Sequence, residues 1–254
     1  MKRAKTETAR RIVSAVFILI LMSCAGGMPS IPKQPEALLQ KGIDHFDRGK
    51  YFQAQELFKA FLSTYPGHDR GDYAQFMLAE SYFKDDEYPL ATVEYRIVIS
   101  DYSYSEYVDD AFLGEAKCFY EQAPKSQLDQ SRSFEALSRL RQFAITFATS
   151  PLMEEANGYI FKIHEKLAEK DLKNARFYLR RKVNRSAKIY LDKVISDYPG
   201  NDFWATAMYY RGMLFVEDGD TASAAGMFEK VVNYPKELDI TGEAKVELER
   251  LRRG

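Results

Sequence analysis

The residues that most often carry enzyme chemistry are few and scattered in this chain. Its three histidines, His45, His68 and His164, lie far apart, and none occurs in a metal-ligand spacing such as HExxH. The sequence contains no GxSxG nucleophile motif, no Walker A motif and no GxGxxG fingerprint. Asp218-Gly219-Asp220 has part of a calcium-loop pattern but lacks the closing glutamate, so it is interpreted as a turn between helices. We therefore expect no enzyme activity, no metal site and no cofactor.

The residue with the clearest chemistry is Cys24, which follows a short apolar run. The run extends from Ile12 to Met22 behind a basic start, and a helix of that length spans ~16 Å, about half of a bilayer's hydrocarbon core. It therefore suits a signal peptide rather than a membrane span. The sequence Leu21-Met22-Ser23-Cys24 resembles the lipobox of bacterial lipoproteins, which implies a diacylglyceryl thioether on Cys24 and cleavage after Ser23. The alternative is an ordinary secretory signal with an incidental cysteine.

Residues 1–23 are thus predicted to be a lipoprotein signal peptide, and residues 24–35 a flexible tether. Three prolines and two glycines fall between Ala25 and Pro35, which favours a flexible chain. Acyl chains on Cys24 would anchor the protein stably, since each buried methylene contributes ~0.8 kcal/mol. In enterobacteria-like sorting, an aspartate after the cysteine would retain the protein in the inner membrane. Because this chain has Ala25 there, we predict the outer membrane, with the repeats facing the periplasm.

Charge is distributed unevenly along the chain. The total of −1 argues against a nucleic-acid partner. Residues 1–23 carry a net charge of +4, so residues 24–254 carry −5. The densest basic cluster comprises Lys173, Arg176, Arg180, Arg181, Lys182, Arg185 and Lys188. Such a run is either a solvated helix face or a docking surface, because guanidinium groups pair well with the carboxylates of an acidic partner.

A repeated pattern of small, aromatic and proline residues predicts the scaffold that positions these side chains. In the stretch 37–66, Ala54, Phe58 and Tyr65 follow a break at residues 48–50. The same positions recur as Ala91, Tyr95 and Tyr102, as Ala136, Leu140 and Phe147, and as Ala187, Leu191 and Tyr198. Helix pairs of roughly 34 residues with this signature are typical of tetratricopeptide repeats. Because one pair cannot bury its apolar face alone, the pairs are expected to stack into a solenoid with a concave groove.

The sequence thus predicts an all-α tetratricopeptide solenoid of about five to six helix pairs. N-terminal repeats are expected in residues 36–150, and C-terminal repeats with a capping helix in residues 151–254. Helices are expected at 36–48, 51–65, 71–84, 87–101, 105–122, 131–147, 152–169, 172–182, 184–197, 202–217, 220–234 and 239–252. Residues 123–130 are an insertion relative to the earlier repeats, and the helix after them is expected to be capped near Ser131.

In the first three repeats, the first helix of each pair is expected to line the concave face. The predicted groove residues are Leu39, Ile43, Phe46, Tyr73, Phe76, Glu80, Phe83, Leu113, Lys117 and Tyr120. So many aromatic residues exceed what the buried repeat positions need. They suit a peptide-binding groove, because rings offer a large contact area at a low entropic cost. The alternative is a helix register one residue away, in which these rings are simply core.

The combined features resemble the BamD family, the tetratricopeptide lipoproteins of the outer-membrane β-barrel assembly machinery. The resemblance covers about residues 20–217. It rests on the lipobox, the run from Ala54 to Pro66 behind a short tether, Asp129-Gln130-Ser131, and the segments 167–179 and 195–199. It implies a scaffold whose later repeats bind the barrel-forming, BamA-like assembly protein beside other assembly lipoproteins. It also implies that the early repeats meet unfolded outer-membrane proteins.

On this resemblance, residues 172–217 face the assembly protein. The candidate docking residues are Arg176, Arg180, Arg181, Arg185 and Tyr190. Where the family commonly has Asn-Arg in the helix that ends at Tyr-Pro, this chain has Ile189-Tyr190. We therefore expect Tyr190 to supply an apolar anchor instead of an ion pair. The helices after about residue 218 exceed the five repeats that are usual in the family.

Two other functions remain open at this stage. A periplasmic tetratricopeptide scaffold of the Tol–Pal or cell-division type would be expected to have a coiled-coil segment before the repeats and a plain secretory signal. No heptad run precedes Ala37. A glycan-binding lipoprotein would use the aromatic groove together with tryptophan platforms, and Trp204 is the single tryptophan of the chain.

Overall fold

The computed structural model describes residues 34–253, and these form eleven α-helices and no strand. The helices are α1 (Pro35–Asp47), α2 (Tyr51–Thr64), α3 (Gly71–Lys84), α4 (Tyr88–Asp101), α5 (Val108–Glu121), α6 (Ser131–Thr146), α7 (Met153–Arg180), α8 (Asn184–Asp197), α9 (Asp202–Glu217), α10 (Thr221–Val232) and α11 (Asp239–Arg253). Consecutive helices pack as five pairs, from α1–α2 to α9–α10, and α11 packs on the last pair. The predicted all-α solenoid of about five to six pairs is confirmed.

The turn inside a pair has the same backbone geometry in four of the pairs. Between α1 and α2, the N–H of Lys50 donates to the carbonyl oxygen of His45 at 2.9 Å across Gly49, whose φ is +69°. This bond is the Schellman helix ending, which needs a left-handed residue. The residues with positive φ at the equivalent positions are Asp86, Lys182 and Gly219. Two of these carry a side chain, which costs roughly 1 kcal/mol each, so the packing of the pair imposes the turn.

In the first and the last pair, a glycine of the first helix faces a ring of the second helix sixteen positions later in the sequence. A Cβ atom added to Gly42 would lie 2.7 Å from the ring of Phe58. In the last pair, a Cβ on Gly212 would lie 2.7 Å from the ring of Phe228. Both rings are fully buried, and each contributes about 1.5–3 kcal/mol to stability. The small repeat positions therefore let the two helix backbones approach closely, as their spacing predicts.

The first helices of successive pairs contact one another, whereas the second helices of the described pairs do not. Helix α1 contacts α3, α3 contacts α5, α5 contacts α7 and α7 contacts α9. The first helices therefore form the inner layer of a curved stack, and the second helices form its outer layer. The concave face is lined by α1, α3, α5, α7 and α9.

Helix α7 differs from the prediction. The sequence predicts separate helices at 152–169 and 172–182, but α7 runs unbroken for 28 residues, so this prediction is wrong. The charged residues at 169–171 include no glycine or proline, and Asp171 is buried and pairs with Lys193 of α8 at 2.8 Å. Earlier in α7, Tyr159 meets Tyr120 of α5 with ring centroids 5.1 Å apart. One long helix therefore joins the third pair to the fourth.

Buried side chains form three clusters that overlap along the chain. They extend from Leu38 to Cys118, from Phe112 to Leu214 and from Met208 to Leu248. A division of the repeats at residue 150 stays a prediction. The other helix bounds agree with the sequence-based expectations to within three residues. Within residues 34–253, no helix combines the length and apolar character that crossing a bilayer requires. Cys24 and most of the predicted tether lie outside the described residues.

Candidate functional site

The concave side of the first three pairs carries a band of partly exposed apolar side chains, which we name the aromatic face. It consists of Ile43, Phe46, Tyr73, Phe76, Phe83 and Tyr120. Two predicted groove residues do not belong to it. Leu39 and Leu113 are only 5% and 2% exposed, so their assignment to the groove surface is wrong. The apolar stripe of a first helix is wide enough to face both its partner helix and the next pair, and these two leucines lie within it.

Neighbouring rings hold the aromatic face in place. Phe76 stacks on Tyr107, with ring centroids 5.2 Å apart and the planes inclined by 14°, and Tyr73 meets the same ring at 5.4 Å. Tyr120 meets Tyr159 of α7 edge to face. The sequence analysis missed Tyr107 and Tyr159. Extending the groove to the first helix of the fourth pair would have found Tyr159, whereas Tyr107 precedes α5 and has no helical spacing that would indicate its role.

The arrangement gives the aromatic face two properties. Its rings are partly buried on one side, Tyr120 against the cluster that begins at Phe112 and the others against the cluster that begins at Leu38, so their orientation is largely set before any ligand arrives. Their other side remains partly exposed on the concave surface. A surface ordered in this way loses little side-chain entropy on binding, which suits the capture of apolar side chains from an extended polypeptide.

Carboxylates accompany these rings. Glu80 accepts a hydrogen bond from the hydroxyl of the buried Tyr95. Burial, followed by the nearby Asp109 and Glu80, raises the pKa of Asp110. Lys117 lies 5.6 Å from the ring centroid of Phe83 and pairs with Glu155 at 3.0 Å.

Although burial opposes its charge, the hydrogen bond to Glu155 raises the pKa of Lys117, which therefore stays cationic. Arg70 lies over the ring of Tyr73 and Lys84 near the ring of Phe83, so together with Lys117 they balance the carboxylates of Glu80, Asp110 and Glu155.

The basic cluster of the sequence divides into paired and unpaired side chains. Lys173 pairs with Glu169 and Lys188 pairs with Asp218, each at 2.5 Å. The four candidate arginines, Arg176, Arg180, Arg181 and Arg185, are exposed, and within the described part of the chain they form no ion pair. Arg176 lies over the ring of Tyr210 at 5.5 Å and Arg181 over the ring of Phe177 at 4.3 Å. Four guanidinium groups are thus left for an acidic partner.

Tyr190 is partly buried rather than free on the surface. Its ring stacks on Tyr178 at 5.7 Å with the planes inclined by 12°. On the concave side nearby, a cleft of about 590 Å³ opens between the end of α7 and helix α9, with Leu179, Tyr210 and Met213 among its lining residues. The structure therefore brings unpaired arginines and an apolar cleft together at the fourth and fifth pairs.

The remaining reactive side chains have structural surroundings. Burial raises the pKa of the Cys118 thiol to about 12, so it is protonated and unreactive. Burial lowers the pKa of His45 and of His164. Trp204 donates its indole N–H to the carbonyl oxygen of Ile195 at 3.2 Å, which joins α9 of the fifth pair to α8 of the fourth. Among residues 34–253, no three His, Cys, Asp or Glu side chains are grouped as a metal site would require.

Comparison with known sequences finds two matching family models. The family described as YfiO, outer membrane lipoprotein, matches residues 32–214, and a tetratricopeptide repeat matches residues 206–236. Two relatives are each named outer membrane protein assembly factor BamD. The one from Caulobacter vibrioides is 25% identical over 179 residues, which cover 67% of this chain and 59% of the relative. The one from Rickettsia prowazekii is 25% identical over 203 residues, which cover 78% and 81%.

Solved structures with the same architecture are more distant. A tetratricopeptide repeat protein from Bacteroides fragilis aligns with a TM-score of 0.50 and 14% identity, over 87% of this chain and 99% of its own. The TPR2AB domain of yeast Sti1 aligns with a TM-score of 0.51 and 10% identity, over 86% and 83%. At these identities, the likeness concerns the fold alone.

Proposed function

Since the chain belongs to the YfiO family of outer-membrane lipoproteins, we propose that it is a non-catalytic scaffold of outer-membrane β-barrel assembly. The names of its two relatives support this role, although the chain spans only 59% of one of them. In this role, the protein holds unfolded outer-membrane proteins and presents them to the protein that forms the barrel. The tetratricopeptide stack suits the task, because it offers a long concave surface and a separate set of repeats for a second partner.

The observation that carries the proposal is the aromatic face of the first three pairs. Strands of an outer-membrane barrel have apolar side chains on the side that faces lipid, and those side chains are exposed until the barrel is inserted into the membrane. Such a segment can lay its apolar side chains against the pre-ordered rings at Phe76 and Phe83. Because the surface is partly polar, binding is moderate and reversible, as a transfer step requires.

Docking of the barrel-forming, BamA-like assembly protein is assigned to the fourth and fifth pairs. Arg176, Arg180, Arg181 and Arg185 provide the charge, and the cleft beside Tyr210 provides apolar surface. Exposed ion pairs contribute only ~0–1 kcal/mol each, so the arginines speed association more than they slow dissociation. Other assembly lipoproteins are proposed as further partners. A lipid anchor on Cys24 would hold the scaffold at the outer membrane, facing the periplasm.

Crosslinking to an unfolded substrate tests the proposal. Phe76→Ala and Phe83→Ala should each weaken the binding of an unfolded barrel protein by roughly tenfold, because each removes a ring that contributes ~1.4 kcal/mol of contact. The matched control is Phe52→Ala on α2, since Phe52 is 62% exposed and lies on the outer layer. Far-ultraviolet circular dichroism monitors folding. If all three variants and the wild type crosslink equally, the aromatic face does not take part in substrate binding.

A further inference from the structure

The insertion at residues 123–130 is an ordered loop that folds back on α7. Lys166 donates to the carbonyl oxygen of Ala123 at 2.8 Å, and Lys170 donates to that of Leu128 at 2.9 Å. The amide of Gln130 donates to the carbonyl oxygen of Lys125 at 2.9 Å from inside the loop, and Gln130 is only 2% exposed. The earlier repeats have no such segment. Its fixed backbone forms one wall of a cavity on the concave side.

This cavity has a volume of about 480 Å³, and we name it the lysine pocket. Its lining includes Tyr120 and Lys125 from the third pair, Lys162, Lys166 and Glu165 from α7, and Phe203 from α9. The volume is large enough to receive a side chain together with part of its backbone. Because Tyr120 also belongs to the aromatic face, the two surfaces are continuous.

The lysine pocket has unbalanced positive charge. Lys125, Lys162 and Lys166 form no ion pair with any residue of 34–253. Of the two glutamates in the lining, Glu169 is engaged by Lys173 at 2.5 Å, so Glu165 and the nearby Glu121 face three lysines. Burial lowers the pKa of Lys166, so an anion placed beside it would offset the cost of desolvating the charged amine.

The neighbouring aromatic face has no such excess of positive charge. Glu80, Asp110 and Glu155 are balanced there by Lys117, by Arg70 over the ring of Tyr73 and by Lys84 near the ring of Phe83. An acidic side chain on a bound peptide is therefore attracted more strongly to the lysine pocket than to the aromatic face. A flat bilayer surface cannot follow the inner side of a curved stack, so the anion that fits is one presented by a polypeptide rather than by lipid headgroups.

We propose that the lysine pocket receives an acidic side chain of the same extended polypeptide whose aromatic side chains lie on the aromatic face, and that this contact sets the register of the polypeptide. The inference rests on the proposed function, because it needs a peptide on the aromatic face. First helices of successive pairs lie ~10 Å apart, and the pocket begins one to two helices beyond Phe83. With ~3.3 Å per extended residue, the carboxylate belongs about three to six residues from the aromatic anchor.

Peptide binding to the full-length protein in detergent tests this register. The probes are fluorescein-labelled peptides of about twelve residues that contain two phenylalanines at alternating positions. In each peptide of the series, one glutamate stands at a different position. The matched peptide has glutamine at all of these positions. Fluorescence anisotropy should show that glutamate strengthens binding by roughly three- to tenfold at about three to six residues from the phenylalanines and has no such effect elsewhere. The gain should shrink at high salt, because exposed charges are screened.

Variants of the pocket separate the possible outcomes. Lys125→Gln with Lys162→Gln should abolish the preference for glutamate while the all-glutamine peptide binds as before, because neither side chain amine holds the loop. Lys166→Gln is a second variant that keeps a donor for the carbonyl oxygen of Ala123. Lys230→Gln on α10 is the control and should keep the preference.

If the glutamate and glutamine peptides bind equally well wherever the glutamate is placed, the register proposal is wrong. The proposed role of the aromatic face in peptide binding is then unaffected. The register proposal is equally wrong if the pocket variants keep the preference for glutamate. If no peptide binds at all, the proposed function itself fails, and the register proposal fails with it.

Discussion

At the scale of single residues, the close contact between Gly114 of α5 and Tyr95 of α4 shows how tightly the pairs are stacked. A Cβ added to Gly114 would lie 2.5 Å from the ring of Tyr95, which is fully buried. Gly114→Ala should therefore lower the free energy of unfolding by about 1–3 kcal/mol through overpacking. Gly158→Ala in α7 is the matched control, because its Cβ would enter open space. It should raise the free energy by about 0.5–1 kcal/mol. Urea denaturation measures both free energies of unfolding. If both substitutions lower this free energy, the close contact between Gly114 and Tyr95 is not the cause.

A buried ion pair supports a second prediction at this scale. Glu115 of α5 is fully buried, and Arg96 of α4 and Arg139 of α6 approach its carboxylate at 2.6 and 2.7 Å. Removing both arginines would leave a buried carboxylate without a partner. The double variant Arg96→Ala with Arg139→Ala should thus lower the free energy of unfolding by about 3–5 kcal/mol. Arg132→Ala, which removes an exposed pair with Glu135 and a contact with the ring of Phe119, should cost only about 1 kcal/mol. Similar losses in the two proteins would mean that Glu115 reaches water.

At the scale of the elements, α7 is the helix on which the arrangement of the later pairs depends. A proline at residue 170 would remove a helical hydrogen bond between the halves that contact α5 and α8, at a cost of about 3 kcal/mol or more. Lys170→Pro should therefore uncouple the pairs, so that hydrogen exchange becomes faster in residues 171–232 than in the first three pairs.

Two further variants isolate the cause of that effect. Lys170→Ala removes only the contact with Leu128, and Glu154→Pro places the ring in the first turn, where α4 already has Pro89. In neither variant should hydrogen exchange become faster in residues 171–232 than in the first three pairs. Uniform exchange in the Lys170→Pro protein would show that the stack does not need a continuous α7.

The surface formed by the end of α7 and by α8 yields a prediction on kinetics. Arg176→Glu with Arg180→Glu should slow association with the isolated periplasmic domains of the barrel-forming protein, and salt should reduce the effect. Tyr190→Ala should instead raise the dissociation rate with little dependence on salt. Surface plasmon resonance measures both rates, and Lys230→Glu on α10 is the charge control.

Tyr190 stacks on Tyr178, so circular dichroism must show that the alanine variant stays folded. Unchanged rates in both variants would make this surface a solvated basic face.

At the scale of the whole molecule, the proposed lipid anchor on Cys24 yields a prediction on attachment to the membrane. Cys24→Ala should leave an uncleaved or soluble periplasmic protein, because the acylated side chain is gone. The control is Cys118→Ala, since that thiol is buried in α5 and cannot be the acylation site. Intact mass of the membrane-extracted protein should show acyl groups on residue 24. An unmodified mature N-terminus would contradict the anchor.

The sequence alone determined the repeat architecture and most of the helix bounds. The contacts that define a helix pair join residues that are close in the chain, such as Gly42 and Phe58, so a small residue and a ring at a constant spacing are sufficient to predict them. The same is true of the aromatic residues of the first helices, since helical periodicity places them on one face. The family was indicated by a resemblance that rests on the lipobox and on short motifs such as Asp129-Gln130-Ser131.

Only the tertiary structure decided which side of each first helix is covered and where distant segments meet. Helical periodicity gives the direction of a side chain but not the neighbour that buries it, so Leu39 and Leu113 were misplaced. The continuity of α7 depends on Asp171 meeting Lys193 of another helix. The lysine pocket depends on Lys166 reaching Ala123, 43 residues earlier. These contacts form only when the pairs stack. Local sequence patterns do not specify the curvature of the stack, which brings the distant residues together.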